Sequence, residues 1–181
     1  MKLTKTALPG VLVLEPRTFS DDRGFLFESW NSRQFHEVGL ELEFVQDNHA
    51  FSHGGALRGL HYQIEHAQGK LIRAATGRIW DVAVDLRRSS PFFGRWVGTW
   101  LSGDNHRMLW IPPGFAHGYY VDRPAHCLYK CTDFYSPEFE RTLLWNDPEL
   151  GIDWPLPGSA TPSLSSKDLK GTPFRDAEYF A

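Results

Sequence analysis

The feature that most restricts this chain is alternation. In Ile79–Leu86 (IWDVAVDL), Trp80, Val82, Val84 and Leu86 fall on one side of an extended backbone, and Asp81, Ala83 and Asp85 on the other. That is the period of two of a β-strand. Arg95–Leu101 repeats it, with Trp96, Gly98 and Trp100 together. Lys70–Thr76, Met108–Ile111, Tyr119–Val121 and Cys127–Phe134 read as further short strands, and Val11–Glu15 and Gly24–Trp30 are strand-like. Turn signals separate them at Gly54-Gly55, Thr76-Gly77, Ser90-Pro91, Ser102-Gly103, Pro113-Gly114 and Arg123-Pro124. Only Asn31–Leu40 reads as a full helix, running from an Asn/Ser start to Gly39. A second short helix is expected near Pro148–Gly151. Many short strands at this spacing predict an all-β sandwich or barrel with a few short helices. A length of 181 residues fits one domain, 1–181.

Charge and composition exclude several partners. There are 19 basic and 22 acidic residues, a formal net of −3, so no basic field points to nucleic acid. No run reaches the roughly 18 apolar residues of a membrane span. The segment Met1–Val13 is a poor signal peptide, being broken by Pro9 and Gly10. Cys127 and Cys131, on one strand, stand about 13 Å apart, beyond the reach of a disulfide. Two free thiols indicate a reducing compartment, the cytoplasm. Pro155–Ala181 is polar and Pro-rich, yet Leu164, Leu169, Phe174 and Phe180 give it apolar groups to bury. Exposed edges near the N-terminal strands favour pairing with a second copy, a homodimer.

Chemistry concentrates in a few strings. Leu57–Arg73 (LRGLHYQIEHAQGKLIR) carries Arg58, His61, His66, Lys70 and Arg73. Parity places His61 and Gln63 on one face and Arg58 on the other. Either a bulge near Gly59 re-aims Arg58 or Arg58 precedes the strand. Inward-facing cations are costly unless paired or facing a ligand. Trp110–Tyr120 (WIPPGFAHGYY) delivers His117 after a tight turn. That turn resembles the second motif of cupins, whose metal-binding members carry His-x-His in the first. Here the matching stretch is His61-Tyr62-Gln63, and Gln is a poor ligand for a transition metal. No metal is expected. Leu128–Glu140 offers Tyr129 on a strand face, and Tyr135 either as a stacking ring or as a rim aromatic closing the barrel. Ser165–Asp168 (SSKD) alone reads as an ordinary helix start or solvated turn.

Taken in order, DDRGFLFES (Asp21–Ser29), FVQDNH (Phe44–His49), LRGLHYQ (Leu57–Gln63), AQGKLIR (Ala67–Arg73), DVAVD (Asp81–Asp85), LWIPPGFAHG (Leu109–Gly118), LYK (Leu128–Lys130), YSP (Tyr135–Pro137) and LWNDP (Leu144–Pro148) closely resemble the dTDP-4-dehydrorhamnose 3,5-epimerase family. The resemblance implies a cupin-like jelly roll (double-stranded β-helix), usually dimeric and metal-free, acting on a dTDP-sugar. It places the catalytic base on His61, its carboxylate partner on Asp168, the proton donor on Tyr129 and a cation near the reacting sugar on Lys70. It implies sugar and phosphate contacts for Arg58 and His117, and a thymine-stacking ring at Tyr135. Nucleotide contacts fall on Arg23, Glu28, Gln46, Asn48, Glu140 and Lys167. Pro113 and Cys131 depart from the pattern.

The implied chemistry fits the residue types. A proton beside a ketone is removed from one face and returned on the other, so two groups are required. A neutral imidazole is a base near working pH, and a phenol with a pKa near 10 stays protonated. Nothing is oxidised overall, so no cofactor is expected, and no Gly-rich dinucleotide fingerprint is present. The rival readings are a single-carbon epimerase or ketoisomerase on a related deoxysugar, a metal-dependent cupin oxygenase, and a non-catalytic sugar-binding module.

Overall fold

The structure is a computed structural model that describes residues 1–158 and 160–181. Ser159, inside the polar C-terminal stretch, lies outside the described residues.

Two long strands organise the chain. Lys70–Asp85 (β7) and Phe115–Cys131 (β10) pair antiparallel end to end, from Lys70 opposite Cys131 to Asp85 opposite Phe115. Each half of this ribbon recruits different neighbours. Around its Lys70/Cys131 half lie β1 (Lys2–Lys5), β2 (Leu12–Glu15), β5 (Gln46–Ser52) and β9 (Met108–Ile111). Around its Asp85/Phe115 half lie β6 (Leu57–Gln63), β8 (Trp96–Ser102) and β11 (Glu140–Thr142). A ribbon shared between two sheets is the core of a jelly roll. A separate hairpin joins β3 (Phe19–Asp21) and β4 (Gly24–Leu26).

The ribbon bends where the sequence reads as two turns. Thr76-Gly77 and Arg123-Pro124 do not end strands but sit inside β7 and β10. The pairing register shifts there, between Val121 and Cys127. Gly77 has φ +72°, and a Cβ on it would lie 2.1 Å from the Pro124 carbonyl oxygen. Glycine is the residue that permits this approach. Pro124, which has no N–H to pair, is tolerated at such an irregularity. Tyr119–Val121 and Cys127–Phe134 are therefore parts of one strand that ends at Cys131.

Both faces of the Asp85/Phe115 half are covered, which explains its near-continuous apolar runs. Ile72, Ile79, Ala83, Leu109 and Tyr119 fill the space between the sheets. On the outer face of the Asp85/Phe115 half, Val82, Val84 and Leu86 pack under Leu143, Trp154, Phe174 and Phe180. Most of the C-terminal stretch is thus docked, held by bridges at Ala56–Ser163, Leu143–Thr172 and Arg87–Phe180. Leu169, expected to be buried, is 62% exposed. Trp30, Phe35 and Phe44 cover part of the other outer face, over Leu14, Leu71, Met108 and Trp110.

The expected helix is present but shorter. It spans Ser32–Glu37 (α1), with Asn31 capping the N–H groups of Arg33 and Gln34. Six residues are too few for an independent helix, so the fully buried Phe35 holds it in place. Pro148–Gly151 is not helical. Asp147 accepts from Glu149 N at 2.8 Å and Phe174 N at 2.8 Å, and the turn closes with Gly151 N to Asp147 O. That favours a side-chain-capped turn over a helix. Single 3-10 turns occur at Pro137–Phe139, Asp168–Lys170 and Phe174–Asp176. Among the described residues, no helix is long and apolar enough to cross a membrane. Cys127 and Cys131 are free and buried.

Candidate active site

His61 owes its position to an irregularity in β6. Opposite β10, His117 aligns with His61 but Tyr119 aligns with Arg58. Three steps on β6 match two on β10, so β6 carries one extra residue, a bulge. It falls at Gly59, whose φ is +115° and whose added Cβ would lie 2.5 Å from Gly118 Cα. The two glycines let the strands touch. Of the two ways to accommodate Arg58, the bulge is the one observed. Arg58 lies within the strand, exposed, and donates to Ser52 Oγ at 2.8 Å and Phe51 O at 3.3 Å.

The C-terminal stretch then places Asp168 against His61. Asp168 Oδ1 lies 2.6 Å from His61 Nε2 and accepts from Gly59 N at 3.3 Å. Its Oδ2 accepts from Ser165 Oγ at 2.7 Å. Burial pushes the Asp168 carboxyl up, but these hydrogen bonds outweigh it and hold the group below its ordinary value. Burial pushes His61 down and, together with the nearby Lys167 and Lys70 charges, outweighs the rise that Asp168 gives. The pair at neutral pH is therefore a neutral imidazole beside a carboxylate. A carboxylate only accepts, so Nε2 carries the hydrogen and Nδ1 is the basic atom. SSKD, unremarkable as a string, supplies both Asp168 and its hydroxyl partner.

A cavity of about 300 Å³ opens beside His61. Lys70, Tyr129, Gln46, Asn48, Tyr135 and Glu140 line it as well. Lys70 enters at the start of β7 and Tyr129 from β10, opposite Asn48 and Ile72. Burial raises the Tyr129 phenol, keeping it protonated, and lowers the Lys70 ammonium. At the lip, Tyr135 is 52% exposed. Its hydroxyl donates to Glu140 Oε2 at 3.0 Å, and Lys167 Nζ pairs with Glu140 Oε1 at 2.7 Å.

Four predicted residues lie outside this cavity's lining besides Asp168 and Lys167. His117 is buried against Asp81, with Nε2 3.0 Å from both carboxylate oxygens. Asp81 was not singled out from the sequence, although a carboxylate alternating inward among apolar residues is a legible signal. Arg58 is exposed but not turned away: it pairs opposite Tyr119 on the face that carries His61, and its charge acts on Tyr119 and Tyr129. Arg23 and Glu28 are held elsewhere, Arg23 by Asp21 at 2.6 Å and Glu28 by Asn31 at 2.9 Å. Gln63 does not act as a ligand in a His-x-His pair. Its amide binds backbone, donating to His66 O at 2.7 Å.

Comparison with known proteins decides the family. The sequence profile described as dTDP-4-dehydrorhamnose 3,5-epimerase matches residues 5–176. The dTDP-4-dehydrorhamnose 3,5-epimerase of Pseudomonas aeruginosa is 59% identical over 182 residues, 99% of each chain. The chain belongs to the dTDP-4-dehydrorhamnose 3,5-epimerase family. It is thus an isomerase, and the jelly roll is the fold of that family. The structure of a 3,5-epimerase from Legionella pneumophila, in complex with dTDP-4-keto-L-rhamnose, superposes with a TM-score of 0.94 at 45% identity, covering 98% of this epimerase and 94% of that chain. A 3'-monoepimerase from Streptomyces bikiniensis, in complex with dTDP-quinovose, matches with a TM-score of 0.86 at 32% identity, covering 93% and 85%.

Proposed function

We propose that this epimerase inverts C3 and C5 of dTDP-4-dehydro-6-deoxy-D-glucose to give dTDP-4-dehydro-L-rhamnose, in dTDP-L-rhamnose biosynthesis. The observation that carries the reading is the Asp168-bound His61 sharing one cavity with a protonated Tyr129. In each inversion, His61 Nδ1 takes the proton beside the ketone. The C–H electrons become the enolate double bond, and charge moves to the ketone oxygen. Lys70 donates to that oxygen, which it can do protonated or neutral; one such donor contributes about 3–4 kcal/mol. The Tyr129 hydroxyl then protonates the carbon from the opposite face. The imidazolium proton and the phenolate are reset by exchange with water before the second carbon reacts. Asp168 stabilises the imidazolium in the interval. Electrons are neither gained nor lost, so the chemistry calls for no redox cofactor, and Gln63 in place of a second histidine argues against a metal.

In this reading Tyr135 stacks on thymine, with Gln46, Asn48, Glu140 and Lys167 around the nucleotide. Arg58 and His117 serve the sugar and diphosphate. Arg23 and Glu28 serve the cavity of a second copy. Their hairpin exposes Phe19, Phe25 and Leu26, each more than half accessible, an apolar surface that a homodimer would cover. The chain works as one catalytic domain, and its free buried thiols suit the cytoplasm.

The narrower reading, inversion at one carbon only, is favoured by the likeness to the 3'-monoepimerase. Incubation with dTDP-4-keto-6-deoxyglucose in heavy water, followed by proton NMR, separates the two. Deuterium at C3 and C5 supports the double inversion. Deuterium at one carbon moves the assignment to the narrower reaction, and none at either carbon refutes both.

A further inference from the structure

Gln63 stands where a metal-binding cupin places its second histidine, and its side chain is 4% exposed. Both amide N–H groups and the amide oxygen are bonded, all to backbone. Nε2 donates to His66 O at 2.7 Å and to Phe134 O at 3.2 Å, and Oε1 accepts from Ser136 N at 3.0 Å. Phe134 and Ser136 flank Tyr135. One buried amide thus grips the backbone on both sides of the aromatic residue at the lip of the cavity. Two more glutamines act on the same loop. Gln46 Oε1 accepts from Tyr135 N at 2.9 Å, and Gln68 Nε2 donates to Asp133 O at 2.9 Å. The backbone bond from Thr132 N to Gly69 O at 3.0 Å is the last of the pairing, and the Tyr135 ring beyond it is half exposed, so over Asp133–Ser136 side-chain amides do what a β-ladder does elsewhere.

We infer that Gln63 is a positioning residue for nucleotide binding: its amide locks the Phe134–Ser136 backbone so that the Tyr135 ring is preset to receive the base. This rests on the assignment of Tyr135 to the thymine. An apolar side chain of similar size at 63 leaves Phe134 O and Ser136 N without partners, and the loop samples other conformations. Affinity then falls by the fraction of time the loop is competent. If that fraction is about one in ten, binding weakens about tenfold. Gln63 shares β6 and the cavity lining with His61, but its amide bonds His66, Phe134 and Ser136 and none of His61, Lys70 or Tyr129, so chemistry on bound substrate is spared.

The test compares Gln63→Leu, Gln68→Leu and Tyr135→Ala with the unaltered enzyme, using dTDP titration calorimetry and steady-state kinetics. Gln63→Leu is expected to raise the dTDP Kd and the KM about tenfold, while kcat falls less than about threefold. Gln68→Leu, which removes one bond to the same loop, raises both less. A dTDP Kd unchanged in Gln63→Leu, with Tyr135→Ala weakened, overturns the inference alone. An unchanged Kd in Tyr135→Ala overturns the stacking assignment itself. Should Gln63→Leu fail to fold, hydrogen exchange in the unaltered protein decides. A Ser136 amide protected about a hundredfold or more over an open loop supports the lock, and exchange at the open-loop rate refutes it.

Discussion

Replacing Asp168 by Asn separates charge from geometry at the His61 pair. The amide oxygen can occupy the Oδ1 site, where it still accepts from His61 Nε2 (2.6 Å) and Gly59 N (3.3 Å). The amide nitrogen then faces Ser165 Oγ, a hydroxyl that can turn to accept. The flipped amide would point N–H groups at the Gly59 N–H, so Gly59 selects the orientation that keeps the His61 tautomer. What is lost is the negative charge facing the imidazolium. A hydrogen bond to a charged group contributes about 1.5–3 kcal/mol, or roughly ten- to 150-fold in rate at 1.36 kcal/mol per decade. A flipped amide holding the wrong tautomer would cost about ten-thousandfold. The expected loss in kcat for Asp168→Asn is therefore about a hundredfold. The acid limb of kcat/KM, which follows the free-enzyme base, should also move to lower pH, because Asp168 raises the His61 pKa and the amide does not. The assay is kcat and kcat/KM across pH, with folding checked by circular dichroism. A loss under threefold refutes the role of the carboxylate. A ten-thousandfold loss in a folded variant refutes the argument that Gly59 fixes the amide.

Three further outcomes are expected. His61→Ala should abolish both turnover and deuterium uptake, whereas Tyr129→Phe should lower inversion by about a hundred- to ten-thousandfold while substrate still exchanges deuterium through His61; NMR in heavy water reads both, and inversion at a normal rate in Tyr129→Phe removes it as donor. Asp85 is fully buried and bonded to Arg87 and Ser90; burial raises it, but these partners hold its pKa below the ordinary value. Its stabilisation is present above the unfolded pKa near 4 and is lost as pH falls through the folded value, so Asp85→Asn should lower stability by about 2 kcal/mol and Tm by roughly 4–8 °C at pH 7, with the gap closing below pH 4 in thermal melts. Phe25→Asp on the exposed hairpin should split the proposed homodimer in sedimentation velocity and raise the KM; a dimer that persists with a normal KM removes the hairpin from both roles.

What could be read from the residues, and what could not, divides along one physical line. Alternation reports which side of a strand a residue faces, so IWDVAVDL gave both packed faces of β7 correctly. Turn chemistry reports local backbone freedom, and it does not say whether a chain reverses or merely bends. Gly77 and Pro124 carry turn signals because the bent ribbon needs the same freedoms that a turn does. Only the pairing of β7 with β10 along its length distinguishes the two cases.

The site follows the same division. His61, Lys70 and Tyr129 lie on strands and are aimed inward by parity, so their convergence on one cavity is a consequence of the sheet. Asp168 has no such periodicity behind it. It reaches His61 only because Leu143, Trp154, Phe174 and Phe180 draw the last quarter of the chain across the outer face of the sheet. That burial brings the 3-10 turn at Asp168–Lys170 up to the gap that Gly59 opens in β6. The bulge therefore has two effects at once. It puts one extra residue between Arg58 and His61, and it frees the Gly59 N–H to bind the carboxylate that orients His61. Periodicity alone would have read that glycine as a weak spot in a strand, yet it is the point at which His61 acquires its carboxylate partner.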